Sequence, residues 1–320
     1  MTVRFRLARF GLLAALIALA PIGAKSAEFI NILTGGTGGV YYPLGVALSK
    51  IYAEHIKDAK PSVQSTKASV ENLNLLQQGK GEIAFTLGDS LADAWKGNAE
   101  VGFKAKLTKL RTLAAIYPNY VQIAALKSAG IKTLADLKGK RVSVGAPASG
   151  TELNARAIFK AAGLKYEDFS KTEYLPFGES VELMKNRQLD ATLQSAGLGN
   201  PALRDLANNV EVVFIPIPPE VIAKIGDKAY MDGVIPANTY KGQTAAVPTA
   251  KIENFLVTRK GVSTDVVYSM TKAMYEHLDQ LVAAHAAAKS IKLANAIAGM
   301  PIPLHPGAAK YYREVGLIKK

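Results

Sequence analysis

The stretch 30-INILTGGTGGVYYPLGVALSKI-51 decides the fold. Ile30 to Leu33 is an apolar run of buried-strand type, and it ends in the glycine-threonine loop Thr34 to Gly39. From about Tyr42 onward, Leu44, Leu48 and Ile51 share one helical face. A strand that passes through glycines into a helix sets a helix N-terminus at the C-terminal end of a strand. There the first backbone N–H groups lack partners, and the helix dipole favours negative charge. Glycine permits close backbone approach and positive φ. Nucleotide-binding spacing is absent: Tyr41 stands where G-x-G-x-x-G needs its third glycine, and no Gly-Lys-Ser/Thr follows. A plain tight turn and a ligand-contacting loop remain as readings.

The same alternation continues outward. Val63 to Thr66 reads as a strand, Ser69 as the N-cap of a helix carrying Val70, Leu73 and Leu76, and Ile83 to Leu87 as a strand. This order predicts an α/β fold with a largely parallel sheet. A second series begins with a strand at Val121 to Leu126 and a short helix capped by Thr133. Arg141 to Gly145 then runs as a strand into the loop Ala146 to Thr151, followed by a helix from Glu152 to Ala162. Ser180 to Asn186 is expected to be helical and Leu189 to Leu193 a strand. The segment 69-SVENLNLLQQGKGEIAF-85 is echoed by 179-ESVELMKNRQLDATL-193: an apolar helix, a turn, an acid (Glu82, Asp190) and a strand. Two lobes of one design follow, each with a strand-loop-helix junction where ligands sit in open α/β sheets.

The ends and the charge bound the function. Arg4, Arg6 and Arg9 precede an apolar run from Phe10 to Ala20, then Pro21 and the small-residue stretch Ala24 to Ala27. That is the layout of a signal peptide over residues 1–27, cut after Ser26 or Ala27, which predicts export to the periplasm. The run is shorter than the roughly 20 apolar residues of a spanning helix. The chain has no cysteine, so disulfides and thiolate metal sites are excluded. Removal of Arg4, Arg6, Arg9 and Lys25 leaves 39 − 4 = 35 basic residues against 26 acidic, a net +9. The lysines are scattered singly and not interleaved with aromatics, which argues against nucleic acid as a partner. Of the four histidines, no pair has the H-E-x-x-H spacing of a metal site, and no G-x-S-x-G elbow is present. Ser149 beside Gly150 has no base assigned by the sequence and reads as a helix N-cap. No enzyme, cofactor or metal is expected.

Five segments carry a family resemblance: TGGTGGVYYPLGVALS (34–49), SVENLNLLQQG (69–79), LADLKGKRVSVGAPASGTELNARAIF (134–159), VPTAKIENFLVTRKGVSTDVVYSMTKAMYEH (247–277) and GMPIPLHPGAAKYYREVGL (299–317). In order and spacing the chain resembles the TAXI family, the extracytoplasmic solute receptors of one branch of the TRAP transporters. The resemblance implies a periplasmic-binding-protein-like fold of type II, with two α/β lobes joined by two crossover segments and ligand in the cleft. It also implies a monomeric receptor, a TRAP-type membrane permease driven by an ion gradient, and a small acidic solute such as glutamate, 2-oxoglutarate or a related dicarboxylate. A receptor that presents its ligand to a membrane sensor kinase would have the same lobes. Carried over by position, the ligand-binding residues are Thr37, Gly38, Gly39, Val40 and Tyr41 of the first loop; Ser69, Glu71 and Asn72; Asp89; Ser149, Gly150 and Thr151 of the second loop; Phe177; Ser195 and Gly197. Lys67 and Ala68 depart from the family, where glycines are common. Lys67 is either a charge partner for a carboxylate or a solvated strand-end lysine. Glu71 and Asp89 suit capping and positioning as well as ligand contact.

The expected crossovers are Ile116 to Gln122 and Lys251 to Val257, which divide the chain into lobe I (28–120 plus 252–320) and lobe II (121–251). Pro216, Pro218 and Pro219 exclude a long helix in lobe II. Val267, Met270, Met274, His277 and Leu281 form a helical stripe that reads as core.

Overall fold

The computed structural model describes residues 27–319; the expected signal peptide falls on residues outside this range, apart from Ala27. The chain opens with strand β1 (Glu28–Leu33), helix α1 (Tyr41–His55), β2 (Ala59–Gln64), α2 (Ser69–Gln77) and β3 (Ile83–Leu87). After α3 (Gly88–Lys96) and the long strand β4 (Leu110–Leu126), the motif repeats as β5 (Arg141–Ser143), α4 (Gly150–Ala161), β6 (Lys171–Glu173), α5 (Phe177–Lys185) and β7 (Ala191–Ala196). Then come α6 (Pro201–Asn209), β8 (Val212–Ile215), α7 (Pro219–Ile225), β9 (Met231–Ile235) and the long strand β10 (Val247–Arg259). Three helices close the chain: α8 (Thr264–Glu276), α9 (Leu278–Ala284) and α10 (Pro306–Glu314). Among the described residues no helix is long and apolar enough to cross a membrane.

The strands form one sheet in the order β2-β1-β3-β10-β4-β7-β5-β6, with β8 on β4 and β9 on β10. The triplets β2-β1-β3 and β6-β5-β7 are each parallel and mirror one another about the centre. The expectation of a largely parallel sheet holds only within each triplet. At the centre, β10 is antiparallel to β3 and β4, and β4 is antiparallel to β7. The reason is that the chain enters the second unit on β4 and returns on β10 in the opposite direction. The sequence reading found only the second half of β4; its first half, rich in alanine and leucine, gives no period-2 signal.

The echoed acids have matching structural jobs. Glu82 accepts the N–H of Asn31 at 2.8 Å and pairs with Arg259 at 3.0 Å. Asp190 accepts the N–H of Arg141 at 2.8 Å and grips its guanidinium through both oxygens, at 2.6 and 3.0 Å. The Arg141 guanidinium holds the Asp190 carboxyl below the usual carboxylate range. Each acid thus ties the turn before one strand to the neighbouring parallel strand, Glu82 to the body of β1 and Asp190 to the start of β5.

Leu44, Leu48 and Ile51 of α1 are buried against Ile30 and Ile32, with Met270, Met274 and Tyr312 from the C-terminal helices in the same core. Burial of each such side chain contributes about 2 kcal/mol. Ile123, Val142, Ile158, Phe159 and Leu193 form the core of the second unit. The predicted C-terminal stripe is core as far as Met274 and again at Leu281, but it is broken at His277, where α8 ends and α9 begins. His277 instead stacks on His55, with ring centroids 3.7 Å apart. His285 and His305 each accept a backbone N–H two residues on, at 3.1 Å, and so act as helix caps.

Candidate functional site: a cleft where four helix N-termini meet

A cleft of about 340 Å³ lies between the first unit and the second. Its walls are the loop Gly35 to Tyr41 ahead of α1, Ser65 to Ser69 ahead of α2, Ala146 and Ser149 to Thr151 at α4, and Pro176 to Glu179 at α5. Leu87, Asn119, Ser195 and Ala196 complete it. Four helices therefore direct their N-termini at one space. At each, a backbone N–H (Tyr41, Ser69, Gly150, Gly178) has no acceptor among the described residues. Such groups carry partial positive charge toward the cleft.

The floor is a chain of neutral hydrogen bonds. The Tyr41 hydroxyl donates to Asn254 Oδ1; Asn254 Nδ2 donates to Asn119 Oδ1 at 2.7 Å, and Asn119 Nδ2 donates to the Ser195 carbonyl at 2.9 Å. This chain joins the first loop through β10 and β4 to β7. Ser195 Oγ is buried, lines the cleft and has no partner among the described residues. The charged side chains on the walls are Lys67 and Glu179, both exposed at the rim. The Lys67 ammonium has no ion pair among the described residues, while its N–H donates to Glu71 Oε2 at 2.6 Å.

Of the residues carried over from the family, Thr37 to Tyr41, Lys67, Ser69, Ser149 to Thr151, Phe177 and Ser195 line the cleft. Glu71, Asn72, Asp89 and Gly197 do not. Glu71 braces the loop before α2 through Lys67 N–H, and its own N–H donates to the Ala148 carbonyl at 3.2 Å. Asn72 is fully buried and spends its amide on the Thr34 and Phe85 carbonyls at 2.6 and 2.9 Å and on Thr66 Oγ1 at 2.6 Å. Asp89 is buried behind Leu87 and bonded to Asn154 and Tyr230. Gly197 packs beneath the wall, where an added Cβ would meet Ala287 at 3.0 Å and Tyr117 at 3.1 Å. Asn119 and Asn254 were missed. Their one signal is an asparagine inside each apolar crossover, in 116-IYPNYVQ-122 and 251-KIENFLV-257.

Local backbone bears out one expected cap and revises two further expectations. Ser149 is the N-cap of α4, accepting the Glu152 N–H at 3.1 Å. Ser69 is not a cap. It is the first residue of α2, and its Oγ accepts the Leu87 N–H at 3.2 Å. The cap position belongs to Ala68, at φ 72°, ψ −144°. That conformation is essentially a glycine one. Conversely, none of Gly35, Gly36, Gly38 and Gly39 has positive φ. Gly38 is instead a matter of room: a Cβ there would meet Ala202 Cβ and Gly178 N, each at 3.2 Å. Strain of about 1–2 kcal/mol at Ala68, less the unfolded-state entropy that glycine adds, leads to an expected result. Ala68→Gly raises stability by about 1 kcal/mol, read as a shift of the urea midpoint without change of slope.

The architecture is that of periplasmic-binding-protein-like solute receptors. PhnD1 from Prochlorococcus marinus in complex with methylphosphonate superposes with a TM-score of 0.58 at 11% identity, over 92% of this chain and 100% of that one. The alkanesulfonate-binding protein SsuA from Xanthomonas axonopodis pv. citri, bound to MOPS, gives 0.52 at 15% identity, over 92% and 96%. A putative L-cystine ABC transporter from Listeria monocytogenes gives 0.51 at 15%, over 83% and 98%. The chain belongs to the NMT1-like family, whose model matches residues 32–316.

Proposed function

We propose that this protein is an extracytoplasmic receptor that captures a small acidic solute between two lobes and hands it to a membrane permease. One observation carries the reading: four helix N-termini meet at a cleft whose cationic side chain, Lys67, stands at the rim. An anion there is held by preorganised backbone N–H groups, each charge-assisted bond contributing about 1.5–3 kcal/mol. Neutral Ser195 and Tyr41 supply orientation. Binding proteins of this fold for a sulfonate-bearing buffer and a phosphonate support an anionic ligand class. The motifs shared with TAXI receptors favour a dicarboxylate such as glutamate or 2-oxoglutarate and a TRAP-type permease, with the protein periplasmic and monomeric.

The lobes in this reading are 28–120 plus 252–320, and 121–251. The pairing of Tyr120 with Lys251 and Asn119 with Ile252 supports this division, because the two crossings lie side by side where a hinge needs them. Ligand that binds only the closed form shifts the population toward it.

A thermal-shift and calorimetric screen of acidic amino acids, 2-oxoacids, dicarboxylates, alkanesulfonates and alkylphosphonates tests the assignment. At least one anion is expected to raise the melting temperature, and its neutral amide is expected not to. A rise produced only by neutral or cationic solutes would overturn the reading. For the best anion, Lys67→Ala is expected to change Kd by less than about threefold, as befits an exposed charge. The salt dependence between low and moderate ionic strength is expected to stay below about tenfold, because enclosed groups are little screened.

A further inference from the structure

We propose that Asp89 is a clasp between the lobes, and that its carboxylate takes up a proton as they close. Asp89 lies in the first turn of α3, on the first unit, and is 4% exposed. Its Oδ1 stays at home, accepting the N–H of Ser90 at 2.6 Å. Its Oδ2 reaches across to the second unit, accepting from Asn154 Nδ2 of α4 at 2.7 Å and from the Tyr230 hydroxyl at 2.8 Å. Asn154 Nδ2 also donates to the Tyr230 oxygen at 2.8 Å, closing a buried triangle. The triangle and the ligand cleft close together. Leu87, two residues before Asp89, and Gly150, one helical turn before Asn154, both line the cleft.

The clasp has a place for either protonation state. Asn154 Oδ1 is buried and has no partner among the described residues. Turned about its amide, Asn154 gives up its bond to the Tyr230 oxygen and offers Oδ1 instead to a protonated carboxyl. The charged and titratable groups around Asp89 are Asp93 on its own helix, Asp227 and Tyr230 ahead of β9, Lys224 on α7, and Arg156 and Lys160 on α4, with Tyr41 of α1 coupled to it. Arg156 is already committed to Glu152, at 2.7 Å. Burial pushes the Asp89 carboxyl up to about 6, aided by Asp227 and Asp93 and opposed by the bonds from Tyr230 and Ser90.

The direction of the effect follows. With the lobes apart the carboxyl meets water and returns to the ordinary range near ~4. The closed form therefore holds the proton more tightly, and a fall in pH through about 6 favours closure. Above that pH the carboxylate is ionised in both forms and the clasp is weakest. Below the open-form value both forms are protonated and no further gain accrues.

The clasp rests on the two-lobe reading but not on any ligand, so it is tested on ligand-free protein. The chain lacks cysteine, and Ser62→Cys with Ser170→Cys places spin labels at the outermost strands, one on β2 and one just before β6. Between pH 7.5 and 5, at ~0.15 M salt, the ratio of short- to long-distance populations is expected to rise at least about threefold, that is by RT ln 3. Asp89→Asn is expected to give one distance distribution at both pH values. Tyr230→Phe removes a donor that favours the ionised form, so its midpoint is expected at higher pH; this variant keeps the test sharp if Asp89→Asn melts early by circular dichroism. A wild-type distribution that ignores pH, an unmoved Tyr230→Phe midpoint, or a response that survives Asp89→Asn and vanishes with His285→Gln would each overturn the clasp. Failure of every anion to stabilise the protein would overturn the ligand assignment and leave this result standing.

Discussion

Gly150→Val is expected to weaken solute binding by about tenfold to a hundredfold, a loss of about 1–3 kcal/mol, while leaving the ligand-free melting temperature nearly unchanged. A Cβ on Gly150 would lie 2.6 Å from Leu87 Cδ1 and 2.7 Å from Ser69 Oγ. Both of those belong to the first unit, across the cleft from α4. In the proposed two-lobe reading the clash belongs to the closed form and opening relieves it, so the cost falls on closure and hence on affinity rather than on the fold of either unit. Gly38→Val is expected to act in the same direction through Ala202 and Gly178. Gly39→Ala is the contrast: its Cβ would meet Gly36 O at 3.5 Å and the Phe177 ring at 3.6 Å, ordinary contacts, and its φ is not left-handed. Calorimetric titration of the three variants with the strongest anion from the screen decides the matter. Equal affinities for Gly150→Val and wild type would mean that the cleft need not close on its ligand.

Asn72→Ala is expected to lower stability by about 2–4 kcal/mol, from the loss of several buried hydrogen bonds and the orphaning of their partners. Its amide nitrogen donates to the carbonyls of Thr34 and Phe85, and its oxygen accepts from Thr66, so one side chain pins the end of β1, the middle of β3 and the loop before α2. Chemical denaturation reads the loss as a lower midpoint. The folded fraction is expected to keep its affinity within about threefold, under the roughly 0.7 kcal/mol that this ratio represents. A selective loss of affinity at unchanged midpoint would return Asn72 to the list of ligand contacts.

These two residues mark how far the sequence could be read. The residue transfer placed Gly150 and Asn72 together as ligand contacts. One lines the cleft and the other lies behind it, because a residue at the start of a helix faces the space ahead of the strands, while one three positions further on turns inward. The four residues that fell outside the wall, Glu71, Asn72, Asp89 and Gly197, are polar or small residues whose presence near a ligand loop has a structural cause. They brace loops, join strands or allow close packing. Asn119 and Asn254 were overlooked for the converse reason: they lie inside long strands whose apolar neighbours read as core.

By itself the sequence determined the alternation of strands and helices, the twin units with their matching acids, and the two glycine-bearing junctions. All of these are local. Periodicity, caps and turn residues act within a few positions of one another. Only the tertiary structure decided that the central strands run antiparallel, that four helix N-termini share one space, and that Asp89 belongs to a bridge between the units rather than to the cleft. Those facts depend on pairings between residues far apart in the chain, such as Asp89 with Tyr230 or Tyr41 with Asn254. No local pattern encodes such a pairing, because it is set by where the whole sheet places the two ends.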